Sequence, residues 1–146
     1  QYAVAYPILR KYNFIGTFFV YTNPIDHNLF LTWAQLQEMS AAGMDIQAHS
    51  LTHPHLRTLA SDAAFKEIAD SKSILEKRLG KPVTAFDYPF GEYNTAIIDL
   101  LKRAGFESAV SLAAGYKQRP DELFTLHRIR VSYHDSLDDF IKRLPQ

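Results

Sequence analysis

The chain has 146 residues, 16 Lys plus Arg balanced by 16 Asp plus Glu, 47% apolar residues and no cysteine. That length suits one domain around one core, and balanced charge without a basic stripe sets aside nucleic acid and anionic membranes as partners. The missing cysteine removes disulfides, thiolate ligands and cysteine nucleophiles together, so histidine and carboxylate must hold any metal.

In chain order, Val4 to Tyr12 carries apolar residues at helical spacing (Val4, Ile8, Leu9, Tyr12), with Asn13 in a cap position before the strand Thr17 to Tyr21. Thr32 caps a second helix whose stripe (Trp33, Leu36, Met39, Ala42) ends at Gly43, and Met44 to Ala48 is a short buried strand. Ser61 or Asp62 caps a long amphipathic helix that stops at Gly80 with Pro82 beyond, before a strand over Val83 to Tyr88. Asn94 to Arg103 repeats the pattern, with Gly105 as stop and Glu107 to Leu112 as strand. Leu126 to Val131 reads as a last strand and Leu137 to Leu144 as a terminal helix. The alternation predicts α/β architecture with about five parallel strands joined by right-handed crossovers. No Gly-rich phosphate loop follows a strand, which leans the expectation from a nucleotide-binding sheet toward a barrel.

No apolar run is long enough to span a bilayer, so no transmembrane segment is expected. Gln1-Tyr2-Ala3 has neither an initiator methionine nor a basic-then-apolar signal, so the chain reads as an excised or processed piece. The first helix has no strand before it, and so few parallel strands would leave unpaired edges; at least one strand is expected upstream.

The chemistry concentrates at two strand ends, where parallel α/β folds place their sites. In His49-Ser50-Leu51-Thr52-His53-Pro54, two imidazoles follow the second strand, and a short loop can bring both to one borderline-soft cation. The helical H-E-x-x-H protease motif is excluded, because Ser50 follows His49 and Pro54 stops a helix. His53-Pro54-His55 is similar to the H-x-H of amidohydrolase barrels, although Pro54 is awkward within a strand. In the plain alternative the histidines are loop residues bonded to backbone, with Ser50 and Thr52 making local turns. The second segment, Phe86 to Asn94, combines an X-Pro step and Gly91 with Tyr88, Phe90 and Tyr93, whose rings offer flat surface to a sugar. It reads equally as a strand-to-helix turn capped by Asn94.

Taken together, these segments carry a resemblance. His49-Ser50-Leu51-Thr52-His53-Pro54 resembles the metal-binding H-[ST]-x-x-H-P motif of the polysaccharide deacetylase family (NodB-type, carbohydrate esterase family four), and Tyr88-Pro89-Phe90-Gly91 resembles its next motif. The order and spacing cover nearly the whole chain and are similar to those of the exopolysaccharide poly-N-acetylglucosamine deacetylase group.

The resemblance implies a distorted (β/α) barrel, with about five of its seven strands present here, and metal-dependent removal of N- or O-acetyl groups from a polysaccharide. It implies His49 and His53 as ligands of Zn2+ or another divalent transition metal and the Phe90 backbone N–H as an oxyanion donor; the turn itself, with Tyr88, Pro89, Phe90 and Tyr93, is the expected substrate contact. It also implies an extracytoplasmic location, in periplasm, at the cell surface or secreted.

Some family parts are missing. No T-F-D-D motif supplies a third ligand and base: Asp26, Asp62 and Asp70 lie in the wrong context, and Asp138-Asp139 opens the last helix. Truncation before Gln1 is the expected reason, and the chain alone is expected to be inactive. Asp87 stands where many relatives carry an arginine that orients the base; Arg128 or Arg130 is the candidate substitute, and His127 and His134 are candidates for the family's late histidine. Two alternatives stay open: a non-catalytic carbohydrate-binding or scaffold domain of this fold, and another metal-dependent barrel hydrolase in which His55 replaces His49 on the metal.

Overall fold

The alternation of helical stripes and short β-rich runs becomes five strands interleaved with helices, except between the fourth and fifth strands, in the computed structural model, which describes residues 1–144. The elements are α1 (Ala5–Lys11), β1 (Thr17–Val20), α2 (Trp33–Ala41), β2 (Asp45–Ala48), α3 (Ser61–Leu79), β3 (Ala85–Asp87), α4 (Thr95–Arg103), β4 (Ser108–Ala114), β5 (Leu126–Arg128) and α5 (Leu137–Arg143). All four strand pairings are parallel, in the order β1-β2-β3-β4-β5. Among the described residues that order never reverses, so they contain no switch point of the doubly wound kind. Crossovers of one hand then place the helices on one face, the arrangement of a barrel arc.

The register aligns Val20 with Ala48, Ala48 with Phe86 and Phe86 with Ala109, one buried row across four strands. Leu36 and Met39 of α2, Ile68 and Leu75 of α3, and Leu101 of α4 complete that core with almost no exposed surface. Side chains alternate along a strand, so His49, one residue past Ala48, and Asp87, one past Phe86, fall on the opposite face.

Local chemistry sets the element ends. Thr32 forms a capping box, its hydroxyl accepting from the Gln35 N–H while the Gln35 side chain accepts from the Thr32 N–H. Asn94 caps α4 by accepting from the Ile97 N–H at 2.9 Å. Asn13 takes φ 56 just after α1, the left-handed stop that asparagine tolerates. The N-cap of α3 is Ala60, not Ser61 or Asp62: Ala60 is the extended residue, and its carbonyl accepts from the Ala64 N–H at 2.9 Å.

β3 is shorter than the expected Val83 to Tyr88. Buried Gln47 accepts the N–H groups of Thr84 and Ala85 on its side-chain oxygen (2.9 and 2.8 Å), replacing ladder bonds at that end. β5 stops at Arg128 rather than Val131, while β4 runs on to Ala114 past the expected Leu112. No helix among the described residues is long and apolar enough to cross a membrane.

Candidate metal centre

Beyond β2 the chain turns sharply. Ser50 and His53 both take positive φ (67 and 64), conformations that cost a non-glycine residue about 1–3 kcal/mol and survive where the surroundings enforce them. Fully buried Ser50 does so in part: its hydroxyl accepts from the His53 N–H at 2.9 Å, which closes the loop on itself. The turn brings the His49 and His53 rings to a centroid separation of 4.7 Å, with the Tyr21 ring 5.4 Å from His53.

His49 Nδ1 lies 2.7 Å from the backbone oxygen of Asp87. A carbonyl only accepts, so Nδ1 carries the proton and Nε2 keeps the lone pair. Burial holds the His49 imidazole below its ordinary pKa, with the Asp87 carboxylate pulling the other way, so the ring favours the neutral form that ligates metal. An imidazole whose other nitrogen is pinned to a backbone carbonyl is the usual preparation for coordination. The donor set therefore fits a borderline-soft divalent cation held through His49 Nε2 and His53. Among the described residues, no group of three or more His, Asp or Glu side chains converges to complete such a site.

Asp87 links β3 to β5. Its carboxylate accepts from both terminal guanidinium nitrogens of Arg128, Nη2 at 2.8 Å and Nη1 at 3.2 Å, and Arg128 Nε donates to the Ser111 carbonyl at 2.9 Å. Burial pushes the Asp87 carboxyl up, while His49 and Arg128 favour its charged form. Arg128, expected beside a catalytic base, is thus engaged by Asp87 and braces the strand end that orients His49.

The Tyr88-Pro89-Phe90-Gly91 segment divides between core and surface. Tyr88 is 1% exposed and donates its hydroxyl to the Phe124 carbonyl at 2.9 Å; Pro89 is buried as well. Burial raises the Tyr88 phenol far above its ordinary pKa, with Tyr93 adding to the shift, so it stays a donor. The exposed sugar platform expected of Tyr88 is therefore absent: its ring packs edge-on to Phe86 and stacks with Tyr93 at 5.0 Å. Phe90 is the exposed ring of the segment, 46% accessible, with its backbone at φ 59. One face stacks on His55 at 4.0 Å and 9°, and it meets the His53 ring at 4.6 Å. Gly91 must be glycine, because φ is +68 and an added Cβ would lie 2.6 Å from Leu112 Cγ.

In the ring contacts, His55 is separated from the pair by the Phe90 ring it stacks on, and its Nδ1 lies 3.0 Å from Glu92 Oε2. The structure so brings together His49, His53 and Phe90. His127 lies on β5, its N–H donating to Gln118 Oε1, and exposed His134 packs on Tyr133. Arg130 is exposed, its carbonyl accepting from Arg143. Asp26 accepts the Trp33 N–H, and Asp70 pairs with Lys66. Sequence reasoning assigned no role to Tyr21, Glu67 or Glu92; Tyr21, just past β1, and Glu92, in the turn after β3, lay where a strand-end rule points, whereas Glu67 on α3 did not.

A singly wound parallel sheet with paired imidazoles on the loop after one strand defines the class, and the polysaccharide deacetylase family matches residues 1–109. The chain belongs to that family. It is 33% identical to the YxkH protein of Bacillus subtilis strain 168, over 90% of this chain and 47% of that protein. It is 30% identical to the poly-beta-1,6-N-acetyl-D-glucosamine N-deacetylase of Staphylococcus epidermidis, over 97% of this chain and 53% of the relative. The chain thus spans about half the length of these curated relatives. The Streptococcus pyogenes deacetylase PplD, solved in complex with acetate, superposes with a TM-score of 0.91 and 32% identity, over 99% of this chain and 65% of that one.

Proposed function

We propose that this chain supplies the metal-binding part of a deacetylase that hydrolyses N-acetyl, or O-acetyl, groups on a polysaccharide, with an N-acetylglucosamine polymer as substrate. The observation that carries the reading is the 2.7 Å contact of His49 Nδ1 with the Asp87 carbonyl, which reserves Nε2 beside the His53 ring. The family assignment and the name of the staphylococcal relative support the reaction class and the polymer. A zinc ion, or another divalent transition metal, held by His49 and His53 would supply Lewis acidity toward an acyl oxygen and toward water.

The remaining roles fall to the chain's own groups. Asp87, held by Arg128, keeps the His49 ring in its ligating tautomer. The Phe90 N–H, on a left-handed turn next to the pair, is assigned to the oxyanion that develops on the acyl group. The Phe90 ring borders the sugar, with Tyr93 on the same turn, and the buried Tyr88, stacked on Tyr93, and Pro89 set the height of that turn. The location that fits a polymer substrate of this kind is extracytoplasmic.

The Asp87 carboxylate, 3.7 Å from His49 Nδ1, is committed to Arg128 and is not assigned as the base, and residues 1–146 by themselves are assigned no turnover. The test is acetate release from an N-acetylglucosamine polymer, using this chain and the longest native product that contains it. The expected result is release by the longer product alone, removed by chelation and lowered at least about a hundredfold by His49→Ala or His53→Ala. Undiminished release by His49→Ala would contradict the assignment, and release by the isolated chain would contradict its lack of turnover.

A further inference from the structure

His49 directly follows β2 and is tied to the sheet by its N–H, which donates to the Val20 carbonyl at 2.9 Å, whereas His53 stands further out on the loop. On one side that loop is tied to the segment after β1: the Thr22 N–H donates to the Ser50 carbonyl at 3.3 Å and the Asn23 N–H to the Leu51 carbonyl at 2.8 Å. On the other side it meets Glu67 in the second turn of α3. Glu67 Oε2 accepts the N–H groups of Leu51 (3.1 Å) and Thr52 (2.8 Å), and Oε1 accepts the Thr52 hydroxyl at 2.8 Å. Successive backbone N–H groups aimed at one oxygen form an anion-binding concavity, and the positive φ of Ser50 just before them helps to create it. Glu67 is half-buried, and the positions one turn away on its own helix (Ala63, Ala64, Asp70 and Ser71) offer it no cation, so its carboxylate faces the loop.

We propose that Glu67 is a positioning residue for the metal centre: its carboxylate fixes the peptides of Leu51 and Thr52 and thereby holds His53 at its spacing from His49. The proposal rests on the reading that those two histidines share a cation. Charge-assisted bonds to three donors are strong, and groups one step removed from a metal ligand commonly govern affinity as much as the ligand's own geometry does.

The discriminating variants are Glu67→Ala and Glu67→Gln. Glutamine keeps one acceptor oxygen for the two N–H groups, and its NH2 can donate to the Thr52 hydroxyl, so it should rescue what alanine loses. Two readouts on this chain decide: amide hydrogen exchange at Leu51 and Thr52, and Zn2+ affinity by chelator competition. The expected result for Glu67→Ala is loss of protection at both amides and about a ten- to hundredfold weaker Zn2+ affinity, with Glu67→Gln near the parent in both. Retention of protection and affinity by Glu67→Ala, while His49→Ala abolishes Zn2+ binding, overturns the proposal; so does Glu67→Gln losing as much affinity as alanine. Zn2+ bound equally by the parent, His49→Ala and His53→Ala instead overturns the metal reading, and the amide protection still reports whether Glu67 holds the loop. If the alanine variant does not fold, Glu67→Asp, one methylene shorter, takes its place with the same expected losses and the same overturning result.

Discussion

At the scale of single residues, the site depends on groups forced out of their ordinary state. Ser50 is fully buried at a positive φ, and its hydroxyl gives the His53 N–H a partner. Ser50→Ala removes that acceptor and leaves the donor poorly satisfied, a change worth about 1–2 kcal/mol. Urea unfolding of the variant should show that loss with an unchanged slope; stability equal to the parent would mean that water replaces the hydroxyl fully. His49 illustrates what a sequence conveys about a site and what it withholds. The two-histidine spacing and the following proline were enough to place the pair on a loop and to exclude a helical motif. The carbonyl that selects the tautomer belongs to Asp87, far along the chain, and nothing local signals it. Tyr88 shows the converse: an aromatic in a turn-like segment reads as surface, but strand alternation sends it into the core against Phe86.

At the scale of elements, the joint between α3 and β3 shows how charge supports the strand that carries Asp87. Glu76 Oε1 accepts the Val83 N–H at 3.1 Å and faces Lys72 Nζ at 3.0 Å, and Lys72 also donates to the Val83 carbonyl. Burial raises the Glu76 carboxyl, but the Val83 N–H and Lys72 outweigh it and leave the pKa below its ordinary 4.5. A carboxyl depressed on folding contributes stability above that unfolded value and loses it as the pH falls through the folded one. Glu76→Gln keeps the acceptor and removes the charge. Its stability deficit relative to the parent should therefore be present at about pH 6 and shrink by about pH 3, read from denaturant midpoints. A deficit that does not change between those conditions would exclude the charge as its cause. The existence and order of these elements were legible because helical and strand periodicities alternate cleanly. Their ends were less so: Gln47 replaces ladder bonds at the start of β3, and Ala60 rather than a polar residue opens α3.

At the scale of the whole molecule, the sheet order turns a linear pattern into a site. Sequential parallel strands align all C-terminal ends on one rim, and the loops after β2 and β3 thereby deliver the His49/His53 pair and the Phe90 turn to one place. That convergence was legible once the two motifs were read in order. The clamps from α3 and β5 were not, since Glu67 to Thr52 and Arg128 to Asp87 are tertiary pairings with no local period. The central claim is that His49 and His53 share one cation, with His49 bonding through Nε2. Anomalous diffraction from crystals of the chain grown with Zn2+ tests it most directly. The account predicts one peak at bonding distance, about 2.0–2.1 Å, from both His49 Nε2 and a His53 ring nitrogen, with His49 Nδ1 still on the Asp87 carbonyl. A peak on His55 and Glu92 with the pair left bare, or a metal bound through His49 Nδ1, would contradict it.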